Sequence, residues 1–201
     1  MPSDHPVLTA LRVNADPAAW RALGLSLDPS GRGAVGGIAL EVAAGPGEGG
    51  LRAWGWAGLP DGAGLDGIPA FSALAPAAAP DGPFSAVDHV VVGTGDLDRT
   101  VAALDAAGLD RRRIRDAGKL RQAFYVAGPA LVEVAGPKEA TGDPAGLWGV
   151  TFVVDDLEGL AARLGERADE VRDAVQSGRR IMTIKREAGL GVPVACMTPR
   201  H

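Results

Sequence analysis

Residues 86–98 read AVDHVVVGTGDLD, and residues 146–158 read GLWGVTFVVDDLE. Each is an apolar, β-branched run that breaks at an Asp-Leu-acid step and passes into a helical period. In the first, VDHVVVG predicts a strand and Asp96 a helix cap, with Asp98 in the first turn. Leu97, Val101 and Leu104 then share one face of a helix over 97–109, with Arg99 and Asp105 toward solvent. RRRIRDA predicts a further strand, and RQAFYVAG and ALVEVAGP two more, turned at Gly128-Pro129. The order is β-α-β-β-β.

The stretch from 147 to 199 repeats that order. WGVTFVV predicts a strand, Asp156 caps a helix over 157–164, and EVRDAVQ, RRIMTIKR and VPVACMTP predict three strands. Landmarks keep their sequence: Asp96-Leu97 matches Asp156-Leu157, Ile114-Arg115-Asp116-Ala117 matches Val171-Arg172-Asp173-Ala174, Arg121 matches Arg180, and Pro137 matches Pro199. A repeated supersecondary unit is the reading that accounts for all of them in order. A partial third copy opens the chain. LTALRVNAD predicts a strand, PAAWRALG a short helix with Pro17 near its first position, and GGIALEVAAG with GLRAWGWAGL a hairpin around Pro46-Gly47. Its second strand is hard to find among LSLDPSGRGA. The expected organisation is a partial N-terminal module over 1–60, a Pro/Gly/Ala-rich linker over 61–85, and a paired-module domain over 86–201. The class is α+β, with repeated βαβββ modules forming a curled mixed sheet around a cavity.

Composition narrows the function classes. The 201 residues carry a net charge of −5, against nucleic acid as the main partner. Arg111, Arg112, Arg113 and Arg115 are flanked by Asp110 and Asp116, the commoner pattern of a solvated surface. No apolar run reaches membrane-spanning length, and MPSDHPVLTA lacks the basic start and apolar core of a signal peptide. Cys196 is the single cysteine, which excludes an intrachain disulfide and fits a cytoplasmic location.

Modules of this kind curl around a common hollow, and strand alternation decides which side chains face it. His89 lies near the start of its strand and Glu133 in the last strand of the same module, so the two can converge. Imidazole with carboxylate is half of a site for Zn²⁺, Fe²⁺, Mn²⁺ or Ni²⁺. The repeated module, the V-D-H opening of VDHVVV, the D-L-D helix start and the Glu in LVEVAGP together resemble the vicinal oxygen chelate superfamily. That group includes glyoxalase I, bleomycin-resistance proteins, extradiol dioxygenases and methylmalonyl-CoA epimerase. The resemblance implies a metal ligand from the first and last strand of each module: His89 and Glu133 in one copy, but Gly149 and Ala195 in the other.

Half of the implied ligand set is therefore absent, and three explanations compete. His89 and Glu133 form a metal site completed by a ligand or partner chain, or they act without metal as an acid–base pair, or they are structural remnants. Two donors rarely hold a metal alone, which tilts the balance toward the metal-free options. His5 and His201 lie near the termini, and Cys196 alternates away from Ala195 as a buried apolar residue. Gln122, Phe124, Trp148 and Arg180 are candidate substrate-binding residues, each with a plainer structural alternative as core or surface. Arg179 and Arg180, after Ser177-Gly178, could reach an anionic substrate, a surface arginine pair in a turn being the commoner case, and Trp54 and Trp56 share a strand face suited to stacking or to covering the linker. The resemblance implies a small-molecule ligand, a homodimer as a fair expectation and, for an enzyme, lyase, isomerase or dioxygenase chemistry. The alternative is a metal-free, non-catalytic binder that sequesters an antibiotic or metabolite.

Overall fold

A computed structural model describes residues 5–60, 63–73 and 82–200. The first half comprises β1 (Val7–Asn14), α1 (Pro17–Ala22), β2 (Arg32–Val35), β3 (Ile38–Ala43), β4 (Gly50–Ala57) and β5 (Ala70–Ser72). The second comprises β6 (Phe84–Gly93), α2 (Leu97–Ala106), β7 (Asp110–Ala117), β8 (Leu120–Ala127), β9 (Ala130–Pro137), β10 (Gly146–Val154), α3 (Leu157–Leu164), β11 (Arg172–Asp173), β12 (Arg180–Ile184) and β13 (Val194–Met197). Each helix opens on an aspartate whose carboxylate accepts a backbone N–H of the first turn. Asp16 caps α1, Asp96 caps α2 and Asp156 caps α3. Such caps satisfy donors the helix itself leaves free, at about 1 kcal/mol each.

The strands form a five-stranded sheet, β2-β3-β1-β4-β5, and an eight-stranded sheet, β11-β12-β13-β10-β6-β9-β8-β7. The larger sheet is two βαβββ modules side by side. In each, the first strand runs parallel to the last, and the middle strands follow by antiparallel steps. The modules join where β6 and β10 run antiparallel, with Val90 opposite Val150. The sequence landmarks are structural equivalents, since Asp116 pairs with Arg121 as Asp173 pairs with Arg180. This is the expected α+β, glyoxalase-like architecture.

The smaller sheet is the same plan cut short. Strand β1 is parallel to β3 and β3 antiparallel to β2, the relation of first, fourth and third strands in a full module. Where a second strand would run, Asp28 instead accepts the backbone N–H groups of Ser30 and Arg32, closing a local turn. Strand β4 lies antiparallel to β1 as β10 does to β6, and β5 lies parallel to β4. The expected hairpin between GGIALEVAAG and GLRAWGWAGL is therefore corrected, because β1 separates β3 from β4. Asn14 fastens the connection across the end of β1. Its Nδ2 donates to the Pro46 and Glu48 carbonyls, and its Oδ1 accepts from Gly45 N at 2.6 Å.

Within 61–85, residues 61–62 and 74–81 lie outside the described residues. Leu65 and Ile68 are buried, and Asp66 accepts hydrogen bonds from Arg99 and Thr100 of α2 at 2.8 and 2.5 Å. Residues 70–72 form β5, and Phe84 opens β6. The two sheets share one contiguous apolar core. Trp20 of α1 meets Phe152 of β10 edge-on at 6.2 Å and donates its indole N–H to the Leu190 carbonyl. Phe84 completes that cluster at 4.9 Å from Phe152. The N-terminal half thus packs on its own chain. Trp54 and Trp56 are buried against one another at 5.0 Å, part of the core rather than an open stacking surface. Among the described residues no helix is long and apolar enough to cross a membrane.

Candidate functional site

Helix α2 covers one face of the first module, burying Leu97, Val101 and Leu104, each worth about 1.5–3 kcal/mol on removal from water. Beneath it, Val90, Val92, Ala123, Tyr125, Val132 and Val134 are fully buried. Strand alternation sends their neighbours to the opposite, half-open face. His89 and Val91 come from β6, Leu131 and Glu133 from β9, and Gln122, Phe124 and Val126 from β8. Register then aligns them, with Val91 and Phe124 both opposite Glu133.

A β-bulge adds a residue that alternation alone would hide. On β6, His89 pairs with Thr151 and Val87 with Phe152, so Asp88 is the extra residue. It is buried, yet its Oδ2 lies 2.8 Å from His89 Nδ1. Burial works against the Asp88 carboxylate. The hydrogen bonds from His89 and Arg179, with the positive charges of both, outweigh it and hold the pKa at about 2. An ionised carboxylate only accepts, so Nδ1 carries the proton and Nε2 faces the open side. There it lies 3.1 Å from Thr151 Oγ1 and 3.9 Å from Glu133 Oε2. Glu133 Oε1 accepts from Gln122 Nε2 at 2.5 Å, and Gln122 Oε1 accepts from Arg115 Nε at 2.9 Å. One polar chain therefore crosses the sheet from Arg115 to Asp88.

Arg179 closes it. Only 4% exposed, it donates from Nη1 to Asp88 Oδ1 at 2.6 Å and from Nε to the Thr198 carbonyl at 2.7 Å. Together with Arg112, Arg113, Arg200, Phe124, Val126 and Leu131 it lines a cleft of about 520 Å³. Arg113 and Arg115 lie over the Phe124 ring at 4.9 and 5.2 Å.

The structure thus brings His89, Glu133, Gln122 and Phe124 together. Trp148, 60% exposed, stands beside Gly93 at the rim of the same face. Arg180 is not brought in: it pairs with Glu158 of α3 and donates to the Val171 carbonyl, on the helix-covered side. Asp88 is the residue the sequence reading missed, and Arg179 is the one of the two turn arginines that the structure brings in. A bulge leaves no periodic signal, and two adjacent arginines in a turn look alike until one is buried.

The second module holds the corresponding positions bare. Thr151 pairs with Ala195 as Val91 pairs with Glu133, so Ala195 stands where Glu133 does and Gly149 where His89 does. A Cβ on Gly149 would lie 2.9 Å from the Pro193 carbonyl oxygen, so any side chain there requires the neighbouring strand connection to shift. The divalent metal implied by the resemblance would have few donors here. His89 Nε2 and Glu133 are two; the Gln122 oxygen is engaged by Arg115; Cys196 is buried on the far face with its thiol pushed up to about 12 by burial. His5 bonds the Gly108 carbonyl, and His201 lies outside the described residues. Among the described residues no three His, Cys, Asp or Glu side chains are placed to hold a metal ion together. A resident ion needs three or four donors, so the residues present do not fit one.

No family model and no curated protein matches the chain. Solved structures of similar fold include methylmalonyl-CoA epimerase from Mycobacterium tuberculosis, 20% identical, covering 59% of this chain and 91% of its own with a TM-score of 0.48. Methylmalonyl-CoA epimerase of Streptomyces coelicolor, in complex with 2-nitronate-propionyl-CoA, is 22% identical over 57% of this chain and 97% of its own, at 0.45. A hypothetical protein from Bacillus halodurans C-125 is 14% identical over 57% and 94%, at 0.47.

Proposed function

We propose that this chain binds a small organic molecule on the open face of its first module and holds it against His89 without a resident metal. The observation that carries the reading is the convergence of His89, Glu133, Gln122 and Phe124 beside a cleft of about 520 Å³, within the ordinary range for small-molecule sites. The Asp88–His89 hydrogen bond favours a second, catalytic reading at the same place. Asp88 fixes the tautomer and orientation of the ring, leaving Nε2 to take a proton from a bound molecule, as an isomerase or lyase requires. Glu133 stands where it stabilises the imidazolium that results.

Ligand-detected NMR against a panel of small organic acids, amides and thioesters, methylmalonyl-CoA among them, tests both readings in buffer containing a metal chelator. Binding that persists in chelator and weakens at least about tenfold in Phe124→Ala supports the site. Deuterium entering the carbon acid of a bound ligand, and lost in His89→Gln, supports the catalytic reading. Stoichiometric metal that leaves with His89→Ala contradicts the metal-free account.

A further inference from the structure

Arg179 has a feature that the hydrogen-bond chain does not use. Its Nε and Nη1 are committed to the Thr198 carbonyl and to Asp88, while Nη2 is buried and has no hydrogen-bond partner among the described residues. A buried guanidinium N–H without an acceptor is costly, and a site built around a ligand is where such a group is found. This side chain is part of the cleft wall, beside the exposed Gln176 and the 61% exposed Arg200.

Charge points the same way. The chain as a whole is acidic, at −5, yet four arginines border this cleft. Asp110 pairs with Arg112, and Asp88 is shared between Arg179 and Arg200. Arg113 meets the Phe124 ring and, among the described residues, no acid pairs with it. The cleft therefore keeps positive charge in excess, over an apolar floor of Phe124, Val126 and Leu131.

We infer that the ligand of this cleft is an organic anion: a carboxylate or phosphate group held by Arg179 Nη2, Arg113 and Arg200, joined to an apolar body resting on Phe124, Val126 and Leu131. The planar fork of arginine matches both anions, and a charge-assisted hydrogen bond is the strong kind. The inference rests on the open face being a binding site and adds the class of molecule it takes.

The test titrates the full chain with 2-naphthoate, 1-naphthyl phosphate and the neutral 2-naphthamide, following backbone amide shifts. The expected result is that at least one anion binds about tenfold or more tighter than the amide. Arg113→Gln and Arg200→Gln, both at exposed positions that spare the buried pair, should remove that preference while amide binding stays. The preferred anion tells carboxylate from phosphate. Equal binding of amide and anions in this cleft would overturn the inference while leaving the proposed function standing. No shift near Phe124 with any of the three, at millimolar concentration, would overturn both.

Discussion

The two full modules are built on one plan and diverge at the positions that matter for chemistry. Both carry a bulge where their first strands meet. On β6 the extra residue is Asp88; on β10, where Leu147 pairs with Val92 and Gly149 with Val91, it is Trp148. The same irregularity thus delivers a buried carboxylate to His89 in one module and an exposed indole to the rim in the other. Position by position, His89, Glu133 and Phe124 face Gly149, Ala195 and Thr183. The difference teaches that duplicated folding units share their helices and caps but need not share a site. One half keeps an imidazole, a carboxylate and a phenyl ring; the other has Ala195 and Thr183 in the matching places and, at Gly149, a strand approach that leaves no room for a Cβ without a shift.

Removing the two bulge residues should break the comparison most visibly. Asp88→Ala leaves Arg179 charged and buried without its partner, with an expected loss of about 3 kcal/mol in urea unfolding. Its counterpart Trp148→Ala, at a site 60% exposed, should change stability by no more than about 0.5 kcal/mol. Equal effects would show that the bulges are not differently employed.

A pH series sharpens the same contrast. The Asp88 pKa is depressed from 3.8 to about 2 in the folded state, so its contribution is present above pH 4 and is lost as pH falls toward 2. The loss should be on the order of 2 kcal/mol across that window. In Asp88→Asn that segment of the pH–stability curve should flatten. Smaller still, Gly149→Ala forces a methyl against the Pro193 carbonyl and should cost about 1–2 kcal/mol. Gly149→His would then fail to rebuild a second site. The smallest effect belongs to Arg180→Ala, expected within about 0.5 kcal/mol and without influence on ligand binding, because its partner Glu158 is an exposed surface acid.

Local signals made much of the fold legible. Asp96 and Asp156 cap helices as the sequence indicates, and alternation in RQAFYVAG and ALVEVAGP puts Gln122, Phe124 and Glu133 on one face. The separation of β3 from β4 by β1 was not legible. Two strands joined by a Pro-Gly turn imply a hairpin, and only the Asn14 clamp carries the chain across β1 instead. At the site, periodicity reached His89 and Glu133 but not Asp88, since alternation assigns it to the wrong face. Nor did it separate Arg179 from Arg180, whose burial depends on residues distant in sequence.

The most direct test of the central claim, that the ligand sits on the His89–Glu133 face of the first module and meets the second only at its 176–179 turn and Arg200, is a backbone amide shift map of the full chain titrated with 2-naphthoate and 2-naphthamide. The account predicts shifts concentrated on residues 88–91, 113–115, 122–126, 131–133 and 176–179, with 149–151, 181–185 and 193–195 unmoved apart from Thr151. Shifts spread evenly over both modules, or confined to the second, would contradict it.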